Sequence, residues 1–165
     1  ITIKQLLTHS SGLSDSVRPV TSDNQRSEQS YLKIVKNATV NDLENKSFEY
    51  SDTGFNVLGS VISAISGVRY EKYIHENILM PAGMQSSQYF NGINENIAEA
   101  PPTFKGKLID KNEQRAYDLS FNPSEGLVSN VYDLSLWLKL TLANEIAILK
   151  QQTYKNMLEP QIKTA

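Results

Sequence analysis

The sequence predicts a mostly α-helical domain, and three observations carry that reading. In FNVLGSVISAIS the residues Val57, Leu58, Val61, Ile62 and Ile65 recur at helical spacing, and Gly67 stands where a left-handed residue would end the helix. Helix-start signals appear elsewhere: Thr2 with Gln5 three residues on forms a capping box, and Asn130 is a favoured N-cap ahead of Leu134, Trp137, Leu138 and Thr141. Strand signals are sparse, and only TFKGKLIDKNEQRAYDLSF reads as room for one short β-hairpin.

Taken in order, ITIKQLLTHSSGL predicts a first helix with Ile3, Leu6 and Leu7 as its apolar stripe and Gly12 as its stop. Residues 14–27, with Pro19, read as a loop. A weaker helix over residues 28–36 carries Tyr31, Leu32 and Val35 on one face, and a further loop leads to Glu49. The helix after Asp52 is followed by another with Tyr70, Tyr73, Ile74 and Ile78 on one side, closed by Pro81, and the two are expected to form a hairpin. Residues 86–122, with Pro101 and Pro102, read as a long surface excursion. The last helix spans residues 151–158, before Pro160. No repeat, low-complexity run or linker divides residues 1–165, which read as a single domain.

Composition narrows the function. With 165 residues, 39% hydrophobic and 21% charged, the chain can bury one sizeable core. A net charge of −2 with scattered Lys and Arg gives no footprint for nucleic acid or an anionic membrane. The absence of cysteine excludes disulfides and thiol catalysis, and two distant histidines make no zinc site. No metal and no cofactor is implied. No apolar run approaches the roughly 20 residues that span a bilayer, and no signal peptide precedes Ile1. The chain starts without methionine, which leads us to expect a processed or excised piece.

The triplet Tyr50-Ser51-Asp52 has two readings. Ser and Asp are favoured N-caps whose oxygens accept the unpaired amide protons of a following turn, so a purely structural role suffices for them. The same residues also place a phenol, a hydroxyl and a carboxylate side by side. His9 reads as a hydrogen-bonded packing residue and His75 as a solvated helix residue. Asn37-Ala38-Thr39 and Asn45-Lys46-Ser47 fit the glycosylation sequon, a pattern common by chance.

Four stretches, in order, resemble the serine beta-lactamase and penicillin-binding protein superfamily, specifically the branch of class C beta-lactamases, D-alanyl-D-alanine carboxypeptidases and related esterases. They are ITIKQLLTHSSGL, FEYSDTGFNVLG, ILMPAGMQSS and PSEGLVSNVYDLSLWL. The resemblance implies a serine hydrolase that cleaves an amide or ester (a beta-lactam, a D-Ala-D-Ala peptide or an ester) through an acyl-enzyme. Tyr50 then occupies the position of the family's proton-carrying tyrosine. Asp52 stands where the family has Asn, and Gly126 and Leu127 line the substrate cleft. A second match, Ser51-Asp52-Thr53 against the Ser-Asp-Asn of class A enzymes, would give the serine that role. Phe48, Tyr50, Gly54 and Leu58-Gly59 fit the tyrosine-type block better.

An ionised Asp52 only accepts hydrogen bonds and adds a charge. It either pairs with a catalytic lysine or raises the phenol's pKa, and the sequence leaves both open. The family's nucleophile motif, Ser-x-x-Lys, matches only at Ser30-Tyr31-Leu32-Lys33, after the first block and out of order; Lys163-Thr164-Ala165 carries two letters of the family's Lys-Thr-Gly. The resemblance therefore implies the helical lobe of an α+β fold whose sheet comes from other parts of the chain. The lobe alone is expected to be inactive. Its partners would be a small-molecule or peptidoglycan-like substrate and, through the face left bare, a second copy; its location would be extracytoplasmic. The alternative is a catalytically dead binding or regulatory module.

Overall fold

The computed structural model describes residues 1–15, 27–41, 47–89, 103–109, 118–143 and 148–162. Most of the 14–27 loop, Asn45 of the second sequon, Pro101, Pro102 and Lys163-Thr164-Ala165 lie outside the described residues.

Helix α1 (Ile3–Leu7) starts on the capping box seen in the sequence: Gln5 N–H donates to Thr2 Oγ1, and Thr2 N–H donates to Gln5 Oε1. Of its expected stripe only Leu6 is buried, whereas Ile3 and Leu7 face outward. Gly12 does not stop this helix, which ends five residues earlier. Its φ of +66° and bare Cα let residues 39–41 pass alongside, because a Cβ there would sit 1.7 Å from Asn41 O. Helix α2 (Glu28–Val35) buries Tyr31 edge-on against Phe121, with Val35 packed beside them, while Leu32 lies toward solvent.

Helix α3 (Asp52–Ser66) is the axis of the described structure, capped by Ser51 and closed by Gly67 in the left-handed region. Its inward face overturns the expected one. Thr53, Gly54, Asn56, Gly59 and Ser60 are buried, whereas Ile65 is 83% exposed and Val57, Leu58, Val61 and Ile62 are half-buried. Small residues turn inward because neighbours come close: a Cβ on Gly59 would lie 2.1 Å from Pro123 Cγ.

Helix α4 (Tyr70–Ile74) packs back along α3 as a hairpin and runs into a π-helical turn, His75–Leu79, that stops two residues before Pro81. Leu79, Ala82 and Met84 form an apolar corner with Ile74, Trp137, Leu140 and Ile148. The excursion over 86–122 contains more order than expected. Strand β1 (Gln88–Tyr89) pairs antiparallel with β4 (Leu127–Val128), Gln88 opposite Val128 and Tyr89 opposite Leu127. Two-residue strands are too short to show alternation in sequence. The expected hairpin is present as β2 (Thr103–Phe104) and β3 (Lys107–Leu108), turned by Lys105 and Gly106, both at positive φ.

A 3-10 turn (Leu119–Phe121) leads into α5 (Asn122–Glu125), which lies against α3. Helix α6 (Val131–Ala143) is capped by Asn130 as expected, its Oδ1 accepting from Asp133 N–H at 2.9 Å. Trp137 packs inward as expected, joined by Leu140 and the buried Asp133, whereas Leu134 and Leu138 of the expected stripe are exposed. Helix α7 (Gln151–Leu158) buries Tyr154, whose hydroxyl donates to Thr141 O. Among the described residues no helix is long and apolar enough to cross a membrane.

Candidate active site

The site grows from the turn after α1. His9 adopts φ +51°, a conformation unusual outside glycine, and this turns both its carbonyl and its ring toward the segment before α3. Glu49 N–H donates to His9 O at 2.7 Å, and Ser51 N–H donates to His9 Nδ1 at 3.1 Å. The imidazole stacks on Tyr50 (4.6 Å between centroids, 28°), lies 5.0 Å from the Phe55 ring and meets Phe48 edge-on at 5.7 Å. An Nδ1 that accepts puts the proton of the neutral ring on Nε2. Burial lowers the His9 pKa, partly opposed by the charge of Asp52. His9 is thus a neutral clamp that holds residues 49–51, in keeping with its reading as a packing residue.

The clamp delivers the chain to α3 in extended form, and the triplet divides its work. Ser51, fully buried, is the cap: its Oγ accepts from Gly54 N–H at 3.0 Å. Thr53 donates both N–H and Oγ1–H to Asp15 Oδ1, each at 3.3 Å, which ties the first turn to the segment after α1. Asp52 therefore has no capping duty. It lies in the first turn, where the helix dipole favours a carboxylate, and its Oδ1 accepts from Tyr50 Oη at 2.9 Å.

Tyr50 is 59% exposed, an unusual position for a phenol stacked at the foot of the central helix. Its pKa is raised above 10.0, first by the hydrogen bond to Asp52, then by partial burial, then by the charges of Asp52, Asp15 and Glu125. Among the described residues Asp52 acts on the phenol, accepting its hydrogen bond and favouring the protonated form. Among the described residues, every charge that bears on the phenol is a carboxylate.

Glu125 belongs to the same segment as Gly126 and Leu127, so the structure brings that segment to the Tyr50 side. Gly126 itself is buried and its N–H closes α5 on Asn122 O at 3.1 Å; Leu127 is 43% exposed on β4. Gly126 is therefore covered, whereas Leu127 is accessible. Ser30 and Lys33 lie on α2, where Ser30 Oγ accepts from Ser27 Oγ as part of that helix start.

Sequence reasoning missed Asp15, Glu125 and Asp133. Asp133, fully buried, accepts from Ser86 N–H at 2.9 Å and Ser87 Oγ at 2.8 Å, and Ser87 Oγ lies 2.7 Å from Ser129 Oγ. That network fixes β1 against β4 and so sets where Leu127 stands. Its signal was present in the quoted stretch PSEGLVSNVYDLSLWL, where an acidic residue sits at a helix's third position. No group of three or more His, Cys, Asp or Glu side chains among the described residues is placed to hold a metal ion.

The mostly helical arrangement with its short strands defines a class, a helical fragment of the beta-lactamase/transpeptidase fold. The beta-lactamase family model matches residues 1–164, and the chain belongs to that family. It is 29% identical over 166 residues to protein flp of Staphylococcus aureus strain MRSA252, covering 95% of this chain and 32% of that protein. It is 33% identical over 93 residues to a probable hydrolase, clz13, of Cochliobolus lunatus, covering 56% of this chain and 14% of that protein.

Among solved structures it resembles a penicillin-binding protein from Bacillus halodurans, with a TM-score of 0.73, 22% identity, and coverage of 100% of this chain and 52% of that one. It also resembles the D-amino acid amidase of Ochrobactrum anthropi SV3, with a TM-score of 0.70, 19% identity, and coverage of 93% and 48%. These two likenesses concern the fold. The chain spans about a third of the length of the flp relatives and about half of these solved structures.

Proposed function

We propose that the protein containing this chain is a serine hydrolase that acts on an amide or ester through an acyl-enzyme, with Tyr50 as proton carrier and Asp52 as the residue that aligns it. The observation that carries this is the exposed phenol of Tyr50, clamped by His9 and hydrogen-bonded to Asp52 in a chain of the beta-lactamase family. A phenol in that position can take the hydroxyl proton of an attacking serine as it passes its own to the leaving group, while Asp52 fixes its orientation. Leu127, on the edge of β4, contributes to the substrate wall, with Gly126 shaping the turn before it.

Within the 165 residues Ser-x-x-Lys matches only at Ser30 to Lys33, on α2 and out of the family's order, and the 165 residues alone are proposed to be inactive in acyl transfer. The test uses the whole protein with a cephalosporin, a D-alanyl-D-alanine peptide and a short-chain ester, following turnover and the mass of any covalent adduct. Turnover of one class with an acyl adduct on a serine supports the reading and names the substrate. No turnover and no adduct from any of the three would sink it in favour of a binding or regulatory module. One observation favours that second reading: the carboxylates around Tyr50 disfavour the phenolate that a stronger base would require.

Two further proposals concern the setting. An apolar groove of about 600 Å³, lined by Ile1, Ile3, Val35, Val40, Val57 and Val61, lies open beside α1 and α3. In the isolated 165-residue chain it is proposed to drive self-association, so light scattering should give a mass above the monomer at high concentration; a monodisperse monomer contradicts this. The whole protein is proposed to act outside the cytoplasm, on a small-molecule or peptidoglycan-like substrate, and its recovery solely in the cytosolic fraction would contradict that.

A further inference from the structure

A second cavity lies on the other side of α3, and none of the residues around Tyr50 lines it. It has a volume of about 760 Å³, bounded by α2, α3, the start of α4 and α5. Small-molecule sites commonly fall in the range of roughly 300–1,000 Å³. Its floor holds the buried Tyr31, Asn56, Gly59 and Ser60, and its rim the exposed Glu28, Leu32 and Arg69.

The floor is chemically unfinished. Asn56, 1% exposed, donates from Nδ2 to Tyr31 Oη at 3.1 Å, but its Oδ1 has no hydrogen-bond partner among the described residues. The buried Oγ of Ser63, two turns further along the same face of α3, also has none. Buried polar atoms are normally paired, and two unpaired ones on the wall of one cavity point to an occupant that brings hydrogen-bond donors.

The charges narrow its class. Among the described residues Arg69 is the one cation of the lining, and Glu71 already holds it through Nη2 at 3.1 Å and Nε at 3.3 Å. Glu71 Oε1 also receives Asn122 Nδ2 at 2.5 Å. An anion would meet two carboxylates, Glu28 and Glu71, and no uncommitted guanidinium. A cation would have to compete for Glu71 with two existing partners. What remains is the unpaired Asn56 Oδ1 and Ser63 Oγ, with the Ser60 and Ser120 hydroxyls donating to Asn56 O and Asp118 Oδ1 and still able to accept, beside the apolar faces of Leu32 and Pro123.

We propose that this cavity is a binding site for a neutral polyhydroxylated molecule of mono- or disaccharide size, whose hydroxyls satisfy Asn56 and Ser63 while its C–H face covers Leu32 and Pro123. The site is separate from the one proposed for acyl transfer and does not depend on it.

Saturation-transfer NMR on the whole protein tests this with glucose and maltose, and with cyclohexanol as a ring of similar size that carries one hydroxyl. The expected result is a saturable signal for at least one of the two sugars and a far weaker one for cyclohexanol. Ser63→Leu, which fills the cavity, should abolish the sugar signal, and Ser63→Ala should weaken binding about two- to tenfold, the range for one lost neutral hydrogen bond. Tyr50→Phe should leave it unchanged. If circular dichroism shows that Ser63→Leu is unfolded, Ala64→Trp at the rim serves as the blocking variant. No saturable signal from either sugar means that water alone completes the floor and overturns the proposal. So does an undiminished signal in the folded blocking variant, or cyclohexanol binding as well as the sugars.

Discussion

The clamp in front of α3 and the corner behind α4 both fix a turn, and they do so with opposite chemistry. At the corner, Leu79, Ala82 and Met84 are held by contact with Trp137, Leu140 and Ile148, so position follows from exclusion of water. At the clamp, His9 fixes Glu49 and Ser51 through two directional bonds while Tyr50 stays in solvent. The difference teaches where stability and placement reside. Burial supplies free energy but tolerates small shifts, whereas a few hydrogen bonds add little and define where one phenol points.

The largest effect is expected at the corner. Met84→Ala should destabilise the chain by about 2–5 kcal/mol through loss of burial and a residual cavity, seen as a lower melting temperature. The ionisation of Tyr50 should not move. A shift in the Tyr50 titration would show that corner and clamp are one unit. Asp133→Ala comes next, because it leaves Ser86 N–H and Ser87 Oγ without their acceptor; a loss of about 1–3 kcal/mol is expected, together with faster amide exchange at Val128.

His9→Phe preserves the stack but removes the acceptor for Ser51 N–H, and should cost about 1 kcal/mol. It also carries a pH signature. The folded-state pKa of His9 is lowered, so its contribution is fully present above the ordinary imidazole value of about 6.5 and is lost as pH falls through the lower folded value. Denaturant midpoints measured from pH 7.5 to 4.5 should therefore fall less steeply in His9→Phe than in the parent.

Asp52→Asn should change stability least and Tyr50 most. With the carboxylate gone, the phenol pKa should drop back toward 10.0. The raised value also means that Tyr50's contribution is present below about pH 10 and is lost as pH rises through its folded pKa. Ultraviolet titration should show one tyrosine ionising earlier in the variant, and an unchanged curve would remove Asp52 as the cause.

How much of this was legible in the sequence depends on which physical signal each feature leaves. The helices of α3 and α6 were visible because aliphatic residues recur at 3.6 spacing, and the Thr2 and Asn130 starts because capping needs particular side chains at fixed offsets. The inward faces were not. Thr53, Gly54, Asn56, Gly59 and Ser60 turn inward because α1, α2 and α5 come close, a tertiary constraint that hydrophobic periodicity weighs in the wrong direction. The β1–β4 pair was hidden because two residues cannot establish alternation.

At the candidate site, Tyr50 and Asp52 were singled out from the motif, and Ser51 was one of two candidate caps. That Asp52 is spared from capping and meets the phenol follows only from the bonds of Ser51 to Gly54 and of Thr53 to Asp15, and the latter crosses 38 residues of sequence. Glu125 joins the same electrostatic neighbourhood from still further along the chain.

The central claim is that Tyr50 moves a proton during acylation. Rapid-mixing measurement of acyl-enzyme formation by the whole protein, with and without Tyr50→Phe, tests it most directly. The account predicts a fall of about 10²–10⁴ in the acylation rate with substrate affinity little changed, since the phenol acts in the transition state. An acylation rate equal to that of the parent protein would contradict it.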